Sequence, residues 1–184
     1  MNFYTQAKEI LEHRASTKVK MKQVLVLLEE MFMVAEENNL QVFDFENKQE
    51  CQEILHELYS DFHYSYPTCD VVDAHVHILA NLKVQLQDEK EAIFFPFCAC
   101  LQGYAMNHDQ ERIESLKGFL LKHYPQQPLA TYHAIFSGLK VKPEQSLLET
   151  YYKEVLGYEP NTDEEIKHLE SIHEIYEALI WKKR

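Results

Sequence analysis

The sequence CQEILHELYSDF, residues 51–62, carries its apolar side chains at intervals of three and four residues. At about 100° per residue these positions fall on one side of a helical wheel. They are Cys51, Ile54, Leu55, Leu58 and Phe62. Such a one-sided stripe is typical of a helix that packs one face on a core and leaves the other in water. The pair Tyr66-Pro67 ends the pattern, because a residue before proline disfavours the α region.

The same period continues outward from this stretch in both directions. It predicts further helices around residues 3–11, 19–35, 68–87, 96–106, 107–124, 128–138, 143–157 and 162–182. We therefore predict an all-α fold, a single compact domain of eight or nine helices that spans residues 1–184. Apolar residues occupy nearly every side of the helix at 19–35, which predicts a central position. A very short strand is expected, if anywhere, at Leu40–Phe45.

Capping residues mark several of the predicted helix ends. Asn107 with Gln110 has the spacing of an N-terminal capping pair. Thr162 with Glu165 forms a capping box, in which each side chain bonds to the backbone N–H of the other residue. Gly138 is expected to close the helix at 128–138, because glycine tolerates the left-handed conformation that commonly follows a helix.

Composition limits the class of protein. Only four of the 184 residues are glycine, whereas an all-β fold needs many turns with positive φ. The longest apolar stretch, Ala92–Met106, is too short for a membrane span and contains Pro96. The N-terminal sequence MNFYTQAKEILEHR does not resemble a signal peptide. These features predict a cytoplasmic protein that does not enter the membrane, with its four cysteines as free thiols.

The charge disfavours nucleic acid as a partner. A net charge of −12 repels a phosphate backbone. One window departs from this average, because residues 13–22 contain several basic side chains and no acid; they are His13, Arg14, Lys18, Lys20 and Lys22. A solvated helix junction is the simpler interpretation of this window. A nucleic-acid regulator that uses residues 14–22 is the alternative.

Metal and nucleophile motifs are weak. Glu53 with His56, and Glu170 with His173, have the Glu-x-x-His spacing of di-iron bundles. Glu53, however, lies roughly opposite the apolar stripe of its helix, where a ligand would face water. The sequence has no Gly-x-Ser-x-Gly, no glycine-rich phosphate loop and no Cys-x-x-Cys. We therefore predict no metal, no other cofactor and no catalytic residue.

Three histidines fall on apolar helix faces and are the candidate ligand or partner contacts. His75 lies between Val72 and Val76, His133 follows Tyr132, and His173 lies on the apolar side of the last helix. A packed core histidine is one interpretation, and a ligand contact or general base is the other. If His75 is only packed, His75→Leu should leave the protein folded and more stable, because it removes a desolvation cost.

The last helix suggests a contact with another chain. Its apolar residues span about 180° of the helical wheel, which is more than one packed face needs. Ile175 and Leu179 lie at one margin of this arc with Trp181 beside them, and Ile166 lies at the other margin. We predict that Ile175, Leu179 and Trp181 form a homodimer contact or a groove for a partner.

Taken as a whole, the sequence predicts a non-enzymatic helical module that binds a protein partner or regulates one. The absence of catalytic motifs and the acidic charge both favour this function. A metal-dependent or small-ligand-dependent enzyme with a pocket between helices is the alternative. Metal analysis of protein purified without chelator separates the two hypotheses.

Overall fold

The computed structural model describes residues 3–38, 48–85 and 90–181, without the side chains at 35, 38, 48–51, 83–85, 90 and 181. Within these residues the chain forms nine α-helices and no strand. The predicted all-α fold of eight or nine helices is therefore confirmed. The strand expected at Leu40–Phe45 lies outside the described residues. No helix within the described ranges is long and apolar enough to cross a membrane.

The chain divides into two compact units, residues 1–100 and 101–184, and each is described by itself. The boundary falls inside one helix. A single domain spanning residues 1–184 stays a prediction.

The first unit contains four complete α-helices and the start of a fifth. They are α1 (Phe3–Glu12), α2 (Thr17–Asn38), α3 (Lys48–Ser60), α4 (Cys69–Gln85) and the first part of α5 (Phe94–Met106), with 3-10 helices at Phe62–Ser65 and Lys90–Ile93. Helix α1 packs against α2 and α3, and α2 also packs against α4 and the 3-10 helix at Phe62–Ser65. The side chains of Phe3, Leu28, Leu55, Phe62 and Leu79 are fully buried and form the core of this unit.

The junction between α1 and α2 is fixed by local hydrogen bonds. Ser16 Oγ accepts from the backbone N–H of Val19 (3.3 Å), as an N-terminal cap does. Lys20 Nζ donates to the carbonyl oxygen of Leu11 (3.0 Å), which satisfies a carbonyl in the last turn of α1. One basic residue of the window 13–22 therefore has a structural role.

The second unit is built around α7. It contains the end of α5, α6 (Gln110–His123), α7 (Pro128–Val141), α8 (Gln145–Val155) and α9 (Asp163–Trp181). Helix α7 packs most extensively against α9 and also against α6 and α8. Its side chains at Leu129, Ile135, Phe136 and Leu139 are completely buried.

Gly138 lies inside α7 and does not end it, so that prediction was wrong. The helix continues to Val141. A Cβ atom at Gly138 would contact the backbone carbonyl of Gln102 and lie 2.7 Å from Ala105 Cβ. Glycine is needed here because α5 and α7 approach too closely for any side chain.

The N-terminal cap of α6 is Asp109, so the prediction of Asn107 as the cap was also wrong. Asp109 Oδ1 accepts from the backbone N–H of Arg112 (3.1 Å). The side chain of Asn107 instead donates to the carbonyl oxygen of Gly103 (2.8 Å), in the last turn of α5. Between the two helices His108 adopts a left-handed conformation with φ 54°. Because of this turn, α6 begins at Gln110 and not directly after Asn107.

The predicted capping box of α9 forms in one direction only. Thr162 Oγ1 accepts from the backbone N–H of Glu165 (3.1 Å). The carboxylate of Glu165, which is 5% exposed, accepts from the backbone N–H of Leu129 (3.2 Å) at the start of α7. The negative charge of this carboxylate also interacts favourably with the positive N-terminal end of the α7 dipole. Glu165 thus caps a helix other than its own.

Candidate functional site

His75 is a buried core histidine in the first unit. It is 1% exposed, and its Nδ1 lies 2.9 Å from the hydroxyl of Tyr59. The ring also packs against Phe62, with 4.9 Å between ring centroids. Burial lowers the pKa of His75 to about 4, so the imidazole is neutral at pH 7. A side chain sealed from solvent in this way cannot reach a substrate outside the fold.

His133 forms a hydrogen bond with a second histidine. Its Nδ1 lies 2.8 Å from Nδ1 of His168, which brings α7 and α9 together. Burial, then the neighbouring His168 and Lys140, lower the pKa of His133 to about 4. Burial also lowers the pKa of His168, and Glu164 opposes that effect. The pair is therefore neutral near pH 7, with one ring donating to the other.

His173 is bonded to an aromatic side chain. Its Nδ1 lies 2.7 Å from the hydroxyl of Tyr152. The ring of Tyr152 also stacks on Tyr176, with 3.6 Å between centroids and 7° between planes. Each of the three predicted histidines thus has a partner that the sequence did not identify, because each partner lies 16 to 35 residues away.

The predicted contact on α9 is only partly exposed. Leu179 is 7% exposed and Ile175 is half-buried, whereas Ile166 at the opposite margin is 42% exposed. The side chain of Trp181 lies outside the description. A homodimer or partner contact through Ile175, Leu179 and Trp181 stays a prediction, and the buried position of Leu179 does not favour it.

The second unit contains a buried polar cluster that we did not predict from the sequence. Lys117 is 6% exposed, and its Nζ lies 2.9 Å from Glu114 Oε1 and 2.7 Å from Glu154 Oε1. Tyr151 donates to Glu114 (2.9 Å) and Tyr132 donates to Glu154 (3.3 Å). The position of Lys117 on the helical wheel could have indicated its burial. It follows apolar Leu116 and lies one turn after Ile113, on the buried face of α6.

The Lys117 cluster is charged and poorly suited to nucleophilic chemistry. Burial by itself lowers the pKa of Lys117, but hydrogen bonds and charge from Glu114 and Glu154 outweigh burial and raise it. The ammonium therefore stays protonated near neutral pH and has no free electron pair.

Burial also raises the pKa of Cys98 and Cys100, so neither thiol is activated.

The Glu-x-x-His segments do not assemble a metal site within the described part of the chain. Glu53 and His56 are exposed, and the ring of His56 stacks on Phe95 at 3.8 Å. His173 bonds to Tyr152, as described above. Among the described residues, no three His, Cys, Asp or Glu side chains converge as metal ligands would.

One face of α2 carries a line of exposed apolar side chains. Val19, Val26 and Met33 are 44%, 51% and 58% exposed, and we call these three residues the α2 strip. They are spaced seven residues apart, close to two helical turns, so they line up along the helix. The buried residues Val24 and Leu28 lie on the opposite side. Helix α2 is therefore not covered on every side, and the predicted central position was wrong for this face.

The α2 strip borders an open groove between α1 and α2. The groove has a volume of about 740 Å³, and its apolar lining includes Ile10, Val19, Val26 and Leu27. Polar and charged side chains of both signs surround it: Gln6, Glu9, Glu12, His13, Lys22, Gln23 and Glu30. An apolar floor with a charged rim is typical of a surface that accepts an amphipathic helix.

The comparisons with known proteins give no family for this chain. It matches no family model, no curated protein and no solved structure. Its function must therefore be inferred from its own side chains. His75, His133, His173 and Lys117 are engaged in internal hydrogen bonds. The α2 strip instead presents three aligned apolar side chains to solvent beside an open groove.

Proposed function

We propose that this protein is a non-enzymatic helical module that binds a protein partner through the α2 strip and the adjoining groove. The observation that carries the proposal is the exposure of Val19, Val26 and Met33 in one line on a protein of net charge −12. Apolar side chains aligned in this way are unfavourable in water, and a partner that covers them would gain free energy. The cytoplasmic location expected from the sequence makes a cytoplasmic partner part of this proposal.

The arrangement of α1 and α2 favours a helical ligand. The strip extends for about 21 Å between Val19 and Met33 at 1.5 Å per residue. That length corresponds to about four turns of a partner helix, which would present apolar side chains every three or four residues. The charged residues on the rim would select partners whose polar face carries the opposite charges.

Capture from extracts of the native host tests the proposal. The baits are the tagged full-length protein, Val26→Glu and Val141→Glu. Val141 is a matched control because it is an exposed valine (36%) near the end of α7, outside the α2 strip. We expect at least one protein that the wild type and Val141→Glu retain and that Val26→Glu loses by about tenfold or more, since a carboxylate buried in an apolar contact is costly. Equal capture by all three baits would contradict the proposal, provided that thermal unfolding shows all three to be folded.

A further inference from the structure

We propose that the α2 strip is occupied by a second copy of this chain, whose α2 lies antiparallel to the first with Val26 at the twofold axis. This inference rests on the proposed function, since it names the partner of the same surface. It follows from two features of α2, the symmetry of the strip and the distribution of charge beside it.

The α2 strip is symmetric about Val26. Val19 precedes Val26 by seven residues and Met33 follows it by seven, and all three side chains are exposed. Each interval corresponds to about 10.5 Å along the helix and to a rotation of only about 20° from a straight line. A twofold axis through Val26 would therefore place Val19 against the partner's Met33 and Val26 against the partner's Val26.

The charges beside the strip change sign at its centre. Lys18 and Lys22 precede Val26, whereas Glu29 and Glu36 follow it, and all four side chains are exposed. At 100° per residue these four lie on the same side of the strip. The helix therefore has a basic first half and an acidic second half along one edge.

An antiparallel pair brings these opposite charges together. A twofold axis keeps the same edge of both helices on one side of the interface and reverses their direction. Lys22, about 6 Å before Val26, then lies close to the partner's Glu29, about 4.5 Å after it. Lys18 lies near the partner's Glu36 in the same way. A parallel twofold pair would instead place this edge beside the opposite edge of the partner helix, with Lys22 near the partner's Gln23 and Glu29 near the partner's Glu30. That arrangement pairs no lysine with a glutamate and brings two glutamates together, which is unfavourable.

The size of the surface indicates a weak dimer. One helix pair buries less than the roughly 800 Å² per partner of a standard stable interface. The net charge of −12 on each copy also opposes association. We therefore expect monomers and dimers to exchange, with the dimer fraction rising with protein concentration.

Sedimentation equilibrium of the full-length protein over a wide concentration range is the first test. We expect the wild type and the Val141→Glu control to dimerise and Val26→Glu to remain monomeric. Val26 is half-exposed, so its substitution should leave the fold intact, which circular dichroism would verify. A wild type that stays monomeric at every concentration would overturn the inference. A dimer that Val26→Glu does not weaken would also overturn it, because the interface would lie elsewhere.

A charge exchange tests the antiparallel register. We expect Lys22→Glu and Glu29→Lys each to weaken dimerisation by about tenfold or more, because each places like charges at both symmetry-related positions. The double variant should regain most of the affinity, and so should a mixture of the two single variants. Glu29→Lys makes the protein less negative, so general repulsion between copies predicts a tighter dimer for it. That result, or a double variant no tighter than the single ones, would overturn the register.

The two proposals can fail separately. A monomeric wild type whose capture of a different protein is lost in Val26→Glu would end the self-association inference and leave the proposed function supported. Self-association that depends on Val26 would support both proposals. If neither capture nor association depends on Val26, both are wrong.

Discussion

Lys117 Nζ on α6 lies 2.7 Å from Glu154 Oε1 on α8, and the lysine side chain is almost completely enclosed. The same ammonium contacts Glu114 on its own helix at 2.8 Å. It also lies 5.2 Å from the centre of the Tyr151 ring, within the range of a cation–π contact. This group links two helices of the second unit through a charge that the surrounding carboxylates compensate.

We expect Lys117→Met to destabilise the protein by about 1 to 3 kcal/mol. Methionine fills a similar volume but leaves Glu154 and Glu114 without their cation, and both carboxylates are partly exposed, which limits the cost. Chemical denaturation of wild type, Lys117→Met and Lys122→Met measures it. Lys122 is an exposed lysine on the same helix and should tolerate the change. Equal stability of the two variants would show that the cluster contributes nothing measurable.

Two glycine substitutions should have opposite effects. Gly138→Ala should destabilise the protein by about 1 to 3 kcal/mol, because the new methyl group would force α5 and α7 apart. Gly118→Ala on α6 has no atom within 4 Å of the added Cβ, and it should stabilise the protein by up to about 1 kcal/mol through helix propensity. Thermal unfolding midpoints compare the two. A neutral Gly138→Ala would mean that the helix contact adjusts easily.

The structure changes the expectation for His75→Leu. The hydroxyl of Tyr59 is buried and bonds to His75, so leucine would leave that hydroxyl without its partner. We now expect His75→Leu to destabilise the protein by about 1 to 3 kcal/mol at pH 7. Tyr59→Phe combined with His75→Leu should cost less than His75→Leu alone, because no polar atom of the pair remains. A single variant more stable than wild type would restore the original expectation.

The buried histidines predict a loss of stability in mild acid. The pKa of His75 falls from 6.5 to about 4 in the folded state, so the unfolded chain binds the proton more readily. The neutral imidazole of His75 therefore makes its full contribution to the free energy of unfolding above about pH 6.5. That contribution decreases as the pH falls toward 4, by up to about 1.4 kcal/mol per pH unit. His133, whose pKa is also lowered to about 4, acts in the same direction.

Unfolding free energies between pH 4 and 7 test this linkage. The double variant His75→Leu with Tyr59→Phe should depend less on pH than the wild type. His13→Asn is a matched control, since His13 is exposed, and it should follow the wild-type curve. Identical pH dependence for the double variant and the wild type would show that His75 is not the group that titrates.

Much of the helical structure could be predicted from the sequence because its causes are local. The stripe at Ile54, Leu55, Leu58 and Phe62 repeats at the helical period, and all four side chains are buried. Thr162 was likewise recognised as the cap of α9, since its oxygen bonds three residues ahead. Periodicity and capping act within one or two turns, where sequence distance and spatial distance agree.

The contacts at the candidate site could not be predicted from the sequence, because they join residues that are distant in the chain and close in space. His75, His133 and His173 were identified as apolar-face histidines, but their partners Tyr59, His168 and Tyr152 were not. The exposed side of α2 was also missed, since an apolar residue looks the same in a sequence whether a neighbour covers it or not.

The sequence by itself determined that this protein is helical, acidic and free of known catalytic motifs, because these properties follow from local pattern and composition. Tertiary structure alone decided that Gly138 permits a helix contact, that Glu165 caps α7, and that Val26 faces solvent. Each of these depends on which element packs beside the residue. Which elements pack together depends on the whole tertiary structure, because burial and hydrogen bonding join residues far apart in the chain.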